Sequence, residues 1–432
     1  MRYLLINTNL LRIKDVRMSE VLGQISRNNY KHVLFRELVN EIPSTTYATH
    51  GIYYYPAKFI PHVVRYVIKN YTKTGDWVFD PFAGSGTIAI ECHLLERNYV
   101  LWDINPILEV IVKASTYMDE LSLDDLHIDF DYQKTFIPDW SNITYWHPRQ
   151  FLEVLKRAWG YYHYALSNKK KAIVAIPLLK VTKYFSYADE QIAKLYKSKA
   201  AVKKVNRLLK SNWRSKLIRM YNDEALKVVR KIIEFNRLNP KEVEGVVRAG
   251  IDSISEELKQ EVDIILTSPP YLQAQEYIRS SKLELFWLGY SKKDIRHFRS
   301  REIPYNKLEE DVEIKSKLYF EYRRKVEKLK HPKLLQIYDT YFKSLALFFN
   351  KNSDMIRKYI AIFVGPVKIR GIRVPIDEVL REHLEGLGWK HEVTYIDKII
   401  SRKLFETEIN PATGLKDERT PTEHLLIMRK VN

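Results

Sequence analysis

The chain lacks the residues on which several classes of protein depend. One cysteine, Cys92, in 432 residues excludes an internal disulfide framework and any zinc cluster built on cysteine. The 12 histidines include no HxxxH pair and no His/Cys grouping at ligand spacing, so no metal site is expected. No apolar run is long enough to span a bilayer. The opening MRYLLINTNLLRIKDVR is interrupted by Asn7, Asn9, Arg12 and Lys14 and carries no small-residue cleavage site, so it reads as folded polypeptide in the cytoplasm rather than a signal or an anchor. Neither membrane nor metal is expected as a partner.

Acidic residues are also in deficit, 53 against 71 Lys and Arg, for a formal charge of +18. The imbalance is local. Between Lys169 and Lys231 stand 18 Lys and Arg against 4 Asp and Glu, while the rest of the chain is close to balanced. A basic stretch of this density, interleaved with Tyr184, Phe185, Tyr187, Tyr196, Trp213 and Tyr221, fits a surface that neutralises phosphates and stacks on unpaired bases. The bland alternative is a solvated face with lysines at helical intervals. Candidate nucleic-acid contacts are Lys183, Tyr184, Tyr187, Lys203, Lys204, Arg207, Lys210 and Arg214.

Glycine is scarce, 14 in all, which gives weight to the pair Gly84 and Gly86 inside FDPFAGSGT, Phe79 to Thr87. WVFD, this loop, TIAIECHLLERN and YVLWDINP read as strand, glycine turn, helix and strand, the grammar of a parallel sheet covered by helices. Strand-like runs resume at VDIILT, KYIAIFVGP, HEVTYIDKII and EHLLIMRKV. The intervening residues are rich in Lys, Arg, Tyr and Trp, with apolar residues at helical spacing such as Val202, Val205 and Leu209. Lys307 to His331 reads as a helical excursion, and LLQIYDTYFKSLALFF as a helix packing back on the sheet. The expected architecture is a Rossmann-like α/β sheet in two parts, 1–106 and 246–432, divided by a largely helical basic insertion, 107–245.

A strand ending in Asp80 before a glycine turn is the general form of a nucleotide-type site at the carboxyl edge of a parallel sheet. Lacking the lysine of a phosphate-cradling loop, the turn favours a ligand without phosphates. Asp103 ends the next strand, where a carboxylate can accept hydrogen bonds from ribose hydroxyls. S-adenosylmethionine is a nucleoside of that kind. Asp103 in DINP is otherwise an ordinary turn aspartate.

FDPFAGSGT together with TSPPY, Thr267 to Tyr271, resembles the cytosine-N4 and adenine-N6 amino-methyltransferase superfamily, the DNA-methylase-like enzymes that use S-adenosylmethionine. The resemblance covers roughly 1–106 and 245–432 and extends to YPAKF (Tyr55 to Phe59), RAGIDS with Asp252, YIRSSKLELFWLG and TPTEHLLIMRK. It implies a class I methyltransferase sheet in which Lys58, Phe59, Asp80, Phe82, Ala83, Gly84, Gly86, Thr87, Asp103, Ile104 and Asp252 serve the cofactor. It also implies that Ser268, Pro269, Pro270 and Tyr271 hold the target amine. Proline fixes its own dihedral and has no N–H, so two in succession hold carbonyls rigidly in place. Acceptors that bind the amine hydrogens favour a pyramidal nitrogen whose lone pair can attack a methyl group. Ser268 and the Pro269 carbonyl are the expected acceptors, with Tyr271 stacked on the base.

In the family, serine at the first box position goes more often with cytosine N4 than adenine N6. DNA leads structured RNA, such as ribosomal RNA, as the expected partner. A methylase of small molecules or protein glutamine would not need the basic insertion, and a non-catalytic nucleic-acid-binding scaffold would not need Gly84, Asp103 and Ser268 together. Tyr277, Phe286 and Trp287 are further aromatic candidates for receiving the base, the last two read more simply as helix core. Cys92 reads as a packing residue. The sequence leaves the oligomeric state open.

Overall fold

Runs of β-branched and aromatic residues bounded by turn formers become strands. The computed structural model describes residues 29–192, 194–272, 276–308, 310–399 and 422–431. Within them lie β1 (Tyr30–Val33), β2 (Trp77–Asp80), β3 (Asn98–Asp103), β4 (Gly245–Ala249), β5 (Val262–Thr267) and β6 (Ile356–Val364), followed by a small hairpin of β7 (Val367–Ile369) and β8 (Ile372–Val374), then β9 (Trp389–Lys398) and β10 (Thr422–Lys430). Eight strands form one sheet in the order β1-β9-β10-β6-β5-β2-β3-β4. Pairing is parallel except at β10, which runs antiparallel to both β6 and β9. The strand runs read from the sequence are all present, but β1 and β4 were not marked. Both are edge strands with partly exposed residues, and half-burial weakens the apolar signal. Thr420 and Pro421 of the TPTEHLLIMRK match, Ile400 and the first 28 residues lie outside the described part.

Side chains alternate across the sheet, as the two-residue period of a strand demands. Val78, Leu101, Ile264, Leu266 and Ala361 enter one buried layer, and Phe79, Val100, Trp102, Ile265 and Ile362 enter the opposite one. The first layer is closed by α1 (Pro61–Tyr71), α2 (Thr87–Leu95) and α3 (Ile107–Ser115). All six residues of β5 are buried, which explains why VDIILT reads as an uninterrupted apolar run.

Helix α3 has two partners. Leu108 and Val112 face the sheet layer, while Ile107 and Ile111 join a third core built by α4 (Arg149–Tyr164), α5 (Asn168–Tyr184), α6 (Lys199–Leu209) and α7 (Trp213–Arg237). Phe286 and Trp287 of α8 (Lys282–Trp287) are fully buried in that core, the indole N–H donating to His147 Nε2 at 3.2 Å. They are therefore packing residues and not surface platforms for a base. Of Lys307 to His331 only α9 (Lys317–Glu327) is a helix in the described residues. The second sheet layer is closed by α10 (Pro332–Asn352) and α11 (Ile376–Gly386). No helix among the described residues is long and apolar enough to cross a membrane.

Gly86 fixes the turn that launches α2. Its φ is +68°, a conformation side chains resist, and a Cβ there would stand 2.3 Å from Val112 Cγ2 of α3. Gly86→Ala is expected to lower unfolding free energy by about 1–3 kcal/mol in chemical denaturation. Unchanged stability would mean that α3 can withdraw from the loop at little cost.

Candidate active site

The carboxyl ends of β2, β3 and β5 meet at one cleft, whose walls include Phe82, Gly84, Asp103, Asp252, Ser268 and Pro270. The glycine loop forms the first wall. Gly84, with φ +55°, turns its N–H to Asp103 Oδ2 at 2.7 Å, and Asn105 N–H reaches Oδ1 at 2.7 Å. Burial pushes the Asp103 carboxyl up to about 6, against the pull of these two donors. A carboxylate oxygen has more than one lone pair, so Asp103 can hold the loop and still accept from a ligand diol. Across the cleft, Asp252 accepts the Ile254 N–H at 3.1 Å. Burial raises its pKa, while that N–H and the Arg301 charge oppose the rise. Ser253 Oγ donates to Pro81 O at 2.5 Å and ties this segment to the loop.

The second wall is the SPPY box at the end of β5. Ser268 and Pro270 face the cleft, while the Tyr271 hydroxyl donates to Glu423 Oε1 of β10 at 2.8 Å. The two walls are joined beneath the cleft by Asp80, which accepts from Thr267 Oγ1 at 2.6 Å and from Phe82 N at 3.0 Å. Burial pushes the Asp80 carboxyl up to about 7. Tyr55 covers Gly84, whose Cβ would lie 3.2 Å from the Tyr55 ring. Tyr55 also lies parallel to Tyr277, with ring centroids 6.5 Å apart. Both rings line the cleft.

Ile104 also lines the cleft, but other expected residues stand behind it. Lys58 donates to the His50 carbonyl and is half-buried. Burial pushes its pKa down to about 8. Phe59 stacks on Phe363 in the sheet core at 5.6 Å, and Thr87 Oγ1 donates to Phe59 O at 3.1 Å. Ala83 and Gly86 shape the turn without lining the cleft, and Pro269 and Tyr271 adjoin its lining residues Ser268 and Pro270. Short motifs carry loop-forming and ligand-facing residues alike, and spacing does not separate them. Ala57, Ser253, Ile254, Arg301 and Ile303 line the cleft without having been singled out. Ala57 lies within YPAKF and Ser253 within RAGIDS, but RSREIP at 299–304 carries no recognisable signal.

The expected nucleic-acid residues divide in two. Lys203, Arg207, Lys210 and Arg214 are exposed on α6, on the turn and at the start of α7. Arg214 contacts Asp131 at 2.6 Å between largely exposed side chains, a pair that water screens. Lys183, Tyr184, Tyr187 and Lys204 are half-buried and make contacts within the protein. Lys183 pairs with buried Glu284 at 2.8 Å, Lys204 lies over the Tyr184 ring at 4.7 Å, and Lys197 lies over Tyr187 at 3.9 Å. These contacts make the four less open than Lys203, Arg207, Lys210 and Arg214. Among the described residues no cluster of His, Cys, Asp and Glu could hold a metal ion.

A parallel sheet with one antiparallel strand inserted between β6 and β9, and a glycine loop at the carboxyl end of β2, defines a class I S-adenosylmethionine-dependent methyltransferase fold. A family model described as DNA methylase matches residues 13–124. Type II methyltransferase M.MjaII of Methanocaldococcus jannaschii is 34% identical over 24% of this chain and 20% of its own. M.MvaI of Kocuria varians is 24% identical over 64% of each chain, and M.BsoBI of Geobacillus stearothermophilus 23% identical over 66% of this chain and 60% of its own. The chain thus spans less than two thirds of each of these relatives. An rRNA methyltransferase, aviRa from Streptomyces viridochromogenes, superposes over 92% of this chain and 96% of its own with TM-score 0.32 and 10% identity, too distant a likeness to bear on fold or substrate. The family match and the type II relatives support the cytosine-N4/adenine-N6 amino-methyltransferase superfamily for this chain.

Asp103 is ionised above about pH 6 and protonated below it. Its strength as an acceptor for ligand hydroxyls therefore falls as pH drops through 6. In calorimetry S-adenosylmethionine is expected to bind up to about tenfold more weakly at pH 5 than at pH 7. Asp103→Asn should flatten the part of this dependence centred near pH 6, and a variant with the full wild-type slope would assign the titration to another group.

Proposed function

We propose that the protein is an S-adenosylmethionine-dependent methyltransferase of an exocyclic amino group in DNA, acting on cytosine N4. The observation that carries this reading is the shared cleft: Gly84 and Asp103 on one wall, Ser268 and Pro270 on the other. Its polar groups suit such a nucleoside. Two carboxylates can accept from hydroxyls and an amine, Phe82, Ile254 and Ile303 offer apolar surface, and the glycine loop has no lysine for a phosphate. Asp103 would hold the ribose, Asp252 the adenine amine, and Gly84 would let the ligand approach the backbone. When bound, S-adenosylmethionine supplies an electrophilic methyl group on a sulfonium centre.

The chain's own part is to make a poor nucleophile reactive. The lone pair of an amino group on cytosine is delocalised into the ring. Ser268 Oγ and the Pro269 carbonyl accept its hydrogens, hold the nitrogen pyramidal and direct the lone pair into the cleft. The proline pair fixes these acceptors in advance, so little reorganisation is left for the reacting state. Tyr271, tethered through its hydroxyl to Glu423, offers a ring for stacking. No covalent nucleophile is needed, and the thiol of Cys92 is buried, with its pKa pushed well above the ordinary value by that burial.

A base in a duplex must leave the stack to reach such a pocket, at a cost of roughly a few kcal/mol. Lys203, Arg207, Lys210 and Arg214 offer phosphate contacts to offset it. The match to a family described as DNA methylase supports DNA as the substrate, and serine at the head of the box supports cytosine.

Incubation with labelled S-adenosylmethionine and DNA, followed by nucleoside mass spectrometry, is expected to place label in N4-methyldeoxycytidine. Label in N6-methyldeoxyadenosine would correct the base, and label only with RNA would correct the substrate. Ser268→Ala should lower turnover roughly 10²-fold or more, as for other lost charge-stabilising partners, with S-adenosylmethionine affinity unchanged. Wild-type turnover in that variant would remove Ser268 from the chemistry.

A further inference from the structure

Tyr55 has a second face. Beyond it, away from the SPPY box, opens a groove of about 320 Å³ between the 51–56 segment, α5, α7 and α8. Its wall contains Glu284, 2% exposed. One oxygen of Glu284 accepts Lys183 Nζ at 2.8 Å, and Oε2 has no hydrogen-bond partner. A buried carboxylate is normally satisfied on both oxygens, so the unfilled oxygen, closed from solvent here, favours a shift of Glu284 toward a ligand that brings an N–H. Tyr53 and Tyr54 line the same groove, and Tyr54 is 77% exposed. Lys180 and Lys227, paired with Glu224 at 2.6 and 2.7 Å, and Lys231, paired with Glu234 at 2.8 Å, stand around it together with Glu190.

We propose that this groove is a second base site, taking an unstacked nucleobase that bears an exocyclic amino group from the strand beside the target; the inference rests on the DNA reading above. Carboxylates accept from base amino groups such as cytosine N4, and tyrosine faces stack on any base. The lysines meet the backbone of the strand by exchanging their partners Glu224 and Glu234 for phosphates. Thymine offers Glu284 only its N3–H, which lies between two carbonyl oxygens that the carboxylate repels, so it is disfavoured against a base with an exocyclic amine. The groove therefore supplies a preference at a position the methyl-transfer site does not read. Lys183, set on the insertion's charge stripe, orients Glu284 rather than binding phosphate itself.

The test is binding rather than turnover, so it stands apart from the methyl-transfer experiment. Fluorescence anisotropy of the full chain with labelled short oligo-dC and oligo-dT is expected to show oligo-dC bound on the order of tenfold more tightly. Glu284→Gln keeps the shape but can offer an amide N–H to the groove, and it should abolish or reverse that ratio. Tyr54→Ala, at an exposed position, should weaken both oligonucleotides and leave the ratio intact. Ser268→Ala should also leave a clear preference. Equal binding by wild type, or a preference that survives in Glu284→Gln and disappears in Ser268→Ala, would overturn the proposal. Absence of methylated nucleosides together with a Glu284-dependent preference would overturn the enzymatic reading and leave the base site standing.

Discussion

The site depends on one buried carboxylate. Asp80 ends β2, yet its oxygen binds the hydroxyl of Thr267 at the end of β5 and the N–H of Phe82 in the glycine loop. Removing a carboxylate from water is costly unless it is hydrogen-bonded, and the rise of its pKa to about 7 expresses that cost. What the arrangement secures is register. The residue after Thr267 is Ser268, and the residues after Phe82 turn into Gly84, so a single side chain fixes the spacing between two walls that lie far apart in sequence. Asp103 repeats the device one strand over, holding Gly84 N while keeping acceptor capacity toward the cleft. The two aspartates read as ligand contacts in the sequence, but one of them is a strut.

That distinction marks how far the sequence could be read. The buried central strands were legible because they are short, apolar and bounded by turn residues, and the glycine loop because left-handed dihedrals at Gly84 and Gly86 demand that residue. The meeting of the loop with the SPPY box followed from parallel strands whose carboxyl ends share one edge. What stayed hidden was set by packing. Nothing local in YPAKF says that Tyr55 covers the loop while Lys58 turns away to a carbonyl. Arg301 and Ile303 enter the cleft from a segment with no motif, brought there only by the fold. The edge strands β1 and β4 escaped because half-exposed strands dilute the alternation on which the reading rests.

The basic segment shows the same limit in electrostatic form. Charge counted along a chain is blind to direction, and helices send residues three or four apart to one face and their neighbours to the other. Along α5 and α6 the stripe therefore splits. Lys203 and Arg207 lie four apart and exposed on α6, a spacing suited to a phosphate backbone, while Lys204 is turned in against Tyr184 and Lys183 against Glu284. Such inward cations are not wasted charge: each fixes an anion or an aromatic face at a defined place inside a core that would otherwise be apolar.

This bears on how a helical insertion can serve a sheet enzyme at all. Helix α3 shares its two faces between the sheet layer and the helical core, and His163 of α4 hydrogen-bonds the Trp287 carbonyl at 2.9 Å. Trp287 belongs to the segment that follows the SPPY box. The insertion thus shares a packed core with α3 and with the segment that follows the SPPY box, and interiors at protein density transmit displacement rather than absorb it. The exposed face of α6 and α7, the surface proposed to meet a nucleic-acid strand, therefore belongs to the same packed core as the segment that carries Trp287.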